Sequence, residues 1–482
     1  EQLPKVKSAR RKASQIDELL CFRRARQGCL EDQFPNIIAR RETMTTQSKH
    51  PETVGLHGGS FRADPSTNAV AVPIYQTTSF QFNDADHAAN LFGLAELGNI
   101  YTRIMNPTTA VLEERLAQLE GAVAGLAVSS GQAAISTAIL TIAEAGDNIV
   151  ASTDLYGGTV NLFSNSLRQI GIEVRWADPA NPENFRTLAD DRTRAFFGET
   201  LPNPKLEVFP IGEVAQIGED LGVPLIVDNT AAPIICKPIK HGAHVVIHST
   251  TKYIGGHGTS IGGVILDSGT FDWERHADRF PLLNNPDSSY HGAVWVDAVK
   301  PLGPIAFILK ARVTVQRDYG FALSPQNAFQ FIQGLETLAL RFERQNQNAA
   351  KVADFLSAHP DITRVIYAGQ QQGAAKDRAD RYLEGGAGAL VGFEHAQGLE
   401  SGKAFINALD MLYHVANIGD NRSLAIHPAS TTHSQLPADQ QRSAGVTPGY
   451  IRLSVGIEHA DDIIADISQA LNKASIGIAA AA

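Results

Sequence analysis

The chain has 482 residues, 43% of them hydrophobic and 19% charged, with a formal net charge of −10. That length allows two or three domains with sizeable cores, the charge argues against nucleic acid as a partner, and no apolar run approaches the ~20 residues that cross a bilayer. The three cysteines, Cys21, Cys29 and Cys236, form no C-x-x-C pair and fit a reducing, cytoplasmic setting rather than a disulfide framework.

Residues 1–43 are rich in Arg and Lys and contain no long apolar run. Asp17, Glu18, Glu31 and Asp32 count against an organelle transit peptide, so the stretch reads as a loosely ordered upstream extension, with an ordinary start at Met44. Residues 44–108 are dense in turn formers, with a helical period only over 86–97, and read as an arm that must lie on something else, a neighbouring subunit. Within N-I-Y-T-R-I-M-N-P-T, Tyr101 and Arg103 share a direction if the chain is extended. Arg103 suits a bidentate phosphate contact as well as it suits an exposed strand edge.

From Thr108 onward helix and strand alternate. Helices are expected over 108–120, 131–144, 158–169, 183–190 and 211–221, the last closed by Gly222. Strands are expected over 125–128, 148–151, 173–176, 194–198, 225–227 and 245–247, short apolar runs of the kind buried in parallel sheets. This order predicts an α/β fold: a mostly parallel sheet, right-handed crossovers and helices on both faces. Residues 264–300 hold one more strand and a long loop. Helices follow over 304–320 and 325–358, with a domain boundary near Gly320. The remainder is α+β, with I-T-R-V-I-Y, A-L-V-G-F-E and Y-I-R-L-S-V as strands and helices from about Gly402 and about Asp461.

The chemistry concentrates at the carboxyl ends of the strands, where open α/β sheets hold ligands. Asp228 follows 225–227, and Lys252 follows 245–247 among Ser249, Thr250 and Thr251. A Lys amine and a carboxylate are what pyridoxal 5′-phosphate (PLP) requires, one for its Schiff base and one beside its pyridine nitrogen. S-S-G-Q-A-A, a strand-to-helix turn, offers free N–H groups to a phosphate: Gly131 allows close approach, Gln132 adds its amide, and Ser129 or Ser130 a hydroxyl. A plain Ser N-cap is the other reading of that turn. Tyr156 could stack on a planar ring and assist proton transfer, or pack at a helix start. Asn203 could bond a ring hydroxyl, or form a turn between prolines. Arg452 lies between apolar strand residues and needs a carboxylate, from the protein or from a substrate. The loop around Ser423 reads as a second wall of the site. His241, His244 and His248 do not converge on a strand as they would on a helix, so packing roles are expected and no metal site.

L-H-G-G, A-V-P-I-Y-Q-T-T-S-F, N-I-Y-T-R-I-M-N-P-T, S-G-Q-A-A, Y-G-G-T, D-N-T, H-S-T-T-K-Y-I-G-G-H and H-P-A-S-T-T-H together resemble the PLP-dependent enzymes of cysteine and methionine (transsulfuration) metabolism, over about 53–471. The resemblance implies the aspartate-aminotransferase-like PLP-transferase fold, with an arm over 44–108, a cofactor domain over 109–320 and a smaller C-terminal domain over 321–482. It implies that Lys252 carries the Schiff base, and that Asp228 pairs with the pyridine nitrogen. Gly131, Gln132, Ser249 and Thr251 hold the phosphate, joined by Tyr101 and Arg103 of a neighbouring subunit. Tyr156 stacks on the ring, Asn203 bonds its hydroxyl, and Arg452 clamps the substrate carboxylate with Ser423 beside it. The family is usually tetrameric, a pair of catalytic dimers. Gln132 stands where many members have Met and resembles the sulfhydrylase branch. That branch implies γ-replacement on an activated homoserine, with sulfide or a small thiol as second substrate. Cystathionine γ-synthesis and γ-elimination are alternatives within the family; a non-catalytic binding protein on the same fold is the alternative of another class.

Overall fold

The computed structural model describes residues 46–434 and 437–481. The expected extension over 1–43, with Cys21 and Cys29, lies outside the described residues. Seven strands form the larger sheet: β1 (Ala124–Val128), β2 (Asn148–Ser152), β3 (Glu173–Ala177), β4 (Thr193–Glu199), β5 (Leu225–Asp228), β6 (Val245–His248) and β7 (Gly263–Asp267). Their order is β1-β7-β6-β5-β4-β2-β3. The pairs β2–β3, β2–β4, β4–β5 and β5–β6 are parallel, and β7 runs antiparallel to both β1 and β6. Side chains alternate between two cores: Phe196, Leu225, Val227 and Val246 on one face, and Ala195, Phe197, Ile226, Val245 and Ile247 on the other. Helices cover both faces, which is why these strands read as continuous apolar runs.

Local chemistry sets the helix ends. Asn106 caps Pro107–Glu120 by accepting the Thr108 N–H, and Pro107 occupies the first turn, where no N–H is needed. Gly222 (φ +66°) closes Ile211–Leu221 in the left-handed conformation that a Cβ disfavours. Two expected helices differ in detail. The 304–320 helix begins at Ala306 and widens to π geometry over Ala311–Gln316. The 325–358 helix is two, Pro325–Glu336 and Leu338–Ser357. In the last turn before the break, Gly334 lies against the Ile254 and Gly255 carbonyls with no room for a side chain. Arg341 then donates to the carbonyls of Gly334, Tyr253 and Ile254.

The smaller sheet contains β8 (Ile362–Ile366), β9 (Leu390–His395), β10 (Tyr413–His414), β11 (Leu424–Ile426) and β12 (Tyr450–Ser454), in the order β10-β11-β12-β9-β8. The stretch expected to be irregular loop around Ser423 therefore includes the short strand β11, and Gly373–Tyr382 forms a helix that periodicity did not suggest. The handover between cores lies beyond Gly320. Phe331 and Leu335 of the first helix and Leu338 and Phe342 of the second pack with the larger sheet, while Ala349, Val352 and Leu356 of the second pack with the smaller one. Among the described residues no helix is long and apolar enough to cross a membrane.

Candidate active site

The carboxyl ends of β4, β5 and β6 lie side by side, with Glu199 in register with Asp228, and Asp228 with Ile247. From this edge a series of contacts joins the predicted residues. Asp228 accepts the Thr230 N–H at 2.9 Å, and the Thr230 hydroxyl accepts the Ser249 N–H at 2.8 Å. The Lys252 N–H donates to the Ser249 carbonyl at 3.1 Å. A Cβ placed on Gly131 would lie 2.8 Å from the Ser249 Cβ. The bare N-terminus of the Gly131–Ile142 helix is thus pressed against Ser249, and only glycine permits it. Ser130 caps this helix through Ala133 at 3.0 Å, as the plain N-cap reading has it. The Gln132 amide and the Tyr156 ring converge on the backbone at Gly158. The Tyr156 ring is 53% exposed, and the Gln132 amide has no hydrogen-bond partner among the described residues.

Lys252 is half-buried, and its amine donates to Asn417 Oδ1 at 2.6 Å. Burial first, and the nearby Arg452 cation second, push the Lys252 amine below its usual pKa. Arg452 is 7% exposed and donates to the Asn417 carbonyl at 2.9 Å, while its Nε is buried without a partner. Among the described residues no carboxylate pairs with it; the groups that favour its charge are the tyrosines 450, 253 and 156. A buried guanidinium without a counter-ion is poised for an incoming carboxylate.

Behind Asp228, His248 and Glu120 meet at 2.6 Å, and Asn229 donates to the same Glu120 oxygen at 2.9 Å. Burial pushes the Asp228 carboxyl above its ordinary pKa, against the bonds from Thr230 and the charge of His248. His244 bonds Leu225 and Glu219, and His241 packs edge-on to Tyr382. The three histidines thus face three separate contacts.

Other expected residues sit differently. The hydroxyl of Ser423 donates to Glu458 at 2.9 Å and accepts the Gly456 N–H at 2.9 Å. Buried, with its hydroxyl engaged on both sides, it joins β11 to the turn after β12. Asn417 is the residue of that loop that enters the site. Thr251 accepts the Gly262 N–H at 3.0 Å and donates to its carbonyl at 3.2 Å. Asn203 is half-buried, and its amide has no hydrogen-bond partner among the described residues. Arg103 donates to the Arg317 carbonyl at 2.7 Å and lies 5.5 Å from the centre of the Tyr101 ring. Among the described residues neither side chain hydrogen-bonds to Lys252 or Gly131.

Four participants were missed. Asn417 and Glu199 belong to N-I-G-D and E-T-L-P, which carry no separable signal. Glu120 and Arg341 lie in helices, where a charge reads as solvent-facing.

The chain matches the family model described as Cys/Met metabolism PLP-dependent enzyme over residues 52–472. It is 54% identical over 430 residues to the O-acetyl-L-homoserine sulfhydrylase of Leptospira meyeri, covering 88% of this chain and 97% of that one. It is 45% identical to the homocysteine synthase of Schizosaccharomyces pombe, covering 89% and 100%. Among solved structures, an O-acetylhomoserine (thiol)-lyase of Campylobacter jejuni carrying N′-pyridoxyl-lysine-5′-monophosphate superposes with a TM-score of 0.84 at 41% identity, covering 88% and 100%. The chain belongs to the PLP-dependent enzymes of cysteine and methionine metabolism.

Proposed function

We propose that the chain catalyses γ-replacement on O-acetyl-L-homoserine. The Cγ–O bond breaks, acetate leaves, hydrosulfide forms the Cγ–S bond, and L-homocysteine results; methanethiol in place of sulfide gives L-methionine. The observation that carries this reading is the pairing of Lys252 and Arg452 on one residue, Asn417, beside the Asp228 edge.

The residues suit PLP: an amine held below its usual pKa, a buried carboxylate, and a helix N-terminus with a bare glycine against Ser249. When bound, the cofactor supplies an electrophilic carbon for amines and a ring that accepts the electron pair left by a departing α-proton. Lys252 and Asp228 would hold its two ends, and Gly131, Gln132 and Ser249 its phosphate. Arg452 draws the substrate carboxylate into the cleft, which orients the Cα–H bond toward Lys252. An amine of lowered pKa is neutral for a larger fraction of the time near neutral pH and so serves as the base. Asn417 holds that amine between proton transfers. Tyr156, anchored by its backbone N–H to Glu199 and exposed at its ring, would stack on the cofactor.

The working unit is a homotetramer in a cytoplasmic setting. Val70, Phe92, Leu97 and Tyr101 of the 44–108 arm leave large apolar surface exposed on the single chain, and a second copy would cover it. In that arrangement Tyr101 and Arg103 reach the neighbour's phosphate site. The test is to incubate the purified protein with O-acetyl- or O-succinyl-homoserine, with and without sulfide, and to identify the products. Homocysteine formed in proportion to acetate, and dependent on sulfide, is expected. Acetate with 2-oxobutanoate and ammonia regardless of sulfide would overturn replacement in favour of elimination.

A further inference from the structure

Glu199 is a buried titratable group to which the mechanism above gives no role. It ends β4 beside Asp228, its register partner at the end of β5. Adjacent strands run about 5 Å apart, so the two carboxyl groups are close neighbours in a poorly solvated place. Neither forms an ion pair among the described residues; the nearby cation Lys205 is held by Asp154 at 2.6 Å, and the nearby His248 by Glu120. The titratable and charged groups facing Glu199 are Asp228 on β5, and Asp154 on the loop after β2. Both are acids, so a second negative charge here would lie against like charges. On the same loop, the Tyr156 N–H donates to Glu199 Oε1 at 2.8 Å; this bond and the nearby Thr159 hydroxyl favour the ionised form, but a neutral C=O also accepts the N–H, and burial with the like charge of Asp228 outweighs them.

We propose that Glu199 is a positioning residue that works as a neutral carboxylic acid: its carbonyl oxygen fixes the backbone of Tyr156, and by keeping its proton it leaves Asp228 the single negative charge at the cofactor's ring nitrogen. Burial, and then the charge of Asp228, push the Glu199 carboxyl well above its ordinary range, in agreement. The role of the ring nitrogen rests on the cofactor reading given above; the protonation of Glu199 does not.

The first measurement therefore uses cofactor-free protein. In the unfolded chain Glu199 ionises above pH 4.5, whereas in the folded chain it holds its proton, so its contribution to stability falls as pH rises from there. Glu199→Gln does not titrate. Its melting temperature minus that of the wild type should grow more positive from about pH 5 to about pH 8. A difference that stays constant or shrinks over that range overturns the proposal. The second measurement titrates PLP into each protein by its absorbance band. Glu199→Ala should weaken binding about tenfold or more, while Glu199→Gln, which keeps the acceptor for Tyr156, should stay within about threefold of wild type. Equal weakening in both variants overturns the neutral-acid role. If Glu199→Ala does not fold, the melting series of Glu199→Gln decides alone. Failure of the cofactor reading itself has a different signature, no band in the wild type, and leaves the melting series interpretable.

Discussion

Replacing Arg452 by Leu should have opposite effects on stability and on substrate binding. The guanidinium is 7% exposed, has no carboxylate partner among the described residues and leaves Nε unsatisfied. Keeping such a cation buried costs several kcal/mol, against which its bond to the Asn417 carbonyl returns only about 1–3 kcal/mol. Leu, shorter but apolar, removes both terms, so the unfolding free energy of the ligand-free protein should stay within about 1 kcal/mol of wild type or rise. Substrate binding should suffer. A charge-assisted contact to a carboxylate is worth about 1.5–3 kcal/mol, and a two-pronged one more, so KM for O-acetyl-L-homoserine should climb about 10²–10³-fold. The checks are denaturant unfolding of the ligand-free protein and steady-state kinetics over a wide substrate range. A loss of more than about 2 kcal/mol of stability together with an unchanged KM would refute the reasoning, because it would make Arg452 a structural cation.

Other outcomes follow from the same geometry. Asn417→Ala removes the acceptor of the Lys252 amine and should lower kcat about tenfold, visible in single-turnover measurements. Lys252→Ala should lose about 10²–10⁴-fold or more in rate, and borohydride should no longer fix colour to the chain. Gly131→Ala would put a Cβ 2.8 Å from the Ser249 Cβ, and PLP affinity should fall while the melting temperature drops modestly. The Lys252 amine has a lowered pKa in the fold, so the folded protein resists charging it, and stability is recovered as pH climbs toward the unfolded value of 10.5. Cofactor-free Lys252→Met should therefore melt higher than wild type near neutral pH, and the gap should close toward that value.

What could be read from residues alone was largely what repeats or what carries distinct chemistry. Continuous apolar runs such as L-I-V and V-V-I mark strands covered on both faces, and they carry Asp228 and the Lys252 loop to one edge. The close approach at Gly131 was legible because a glycine in a strand-to-helix turn lets another backbone come near. The break at Thr337 was not, because helical period runs through it, and the approach of Gly334 to the Lys252 loop just before it is a contact between distant segments. That Ser423 bonds Glu458 while Asn417 meets Lys252 was not legible for a related reason. Six residues apart in one polar loop, they differ only in which is caught by Glu458 and which meets Lys252. Glu199 shows the same limit: one acid among 51 Asp and Glu residues becomes unusual only when sheet register sets it beside Asp228.

The long helix Leu338–Ser357 bridges two cores, and its far end carries the five-stranded sheet with Arg452 and the loop of Asn417. Any tilt of that sheet would therefore move two grips together, the cation that catches substrate and the amide that parks the amine. Catching the substrate and freeing the amine become a single mechanical event.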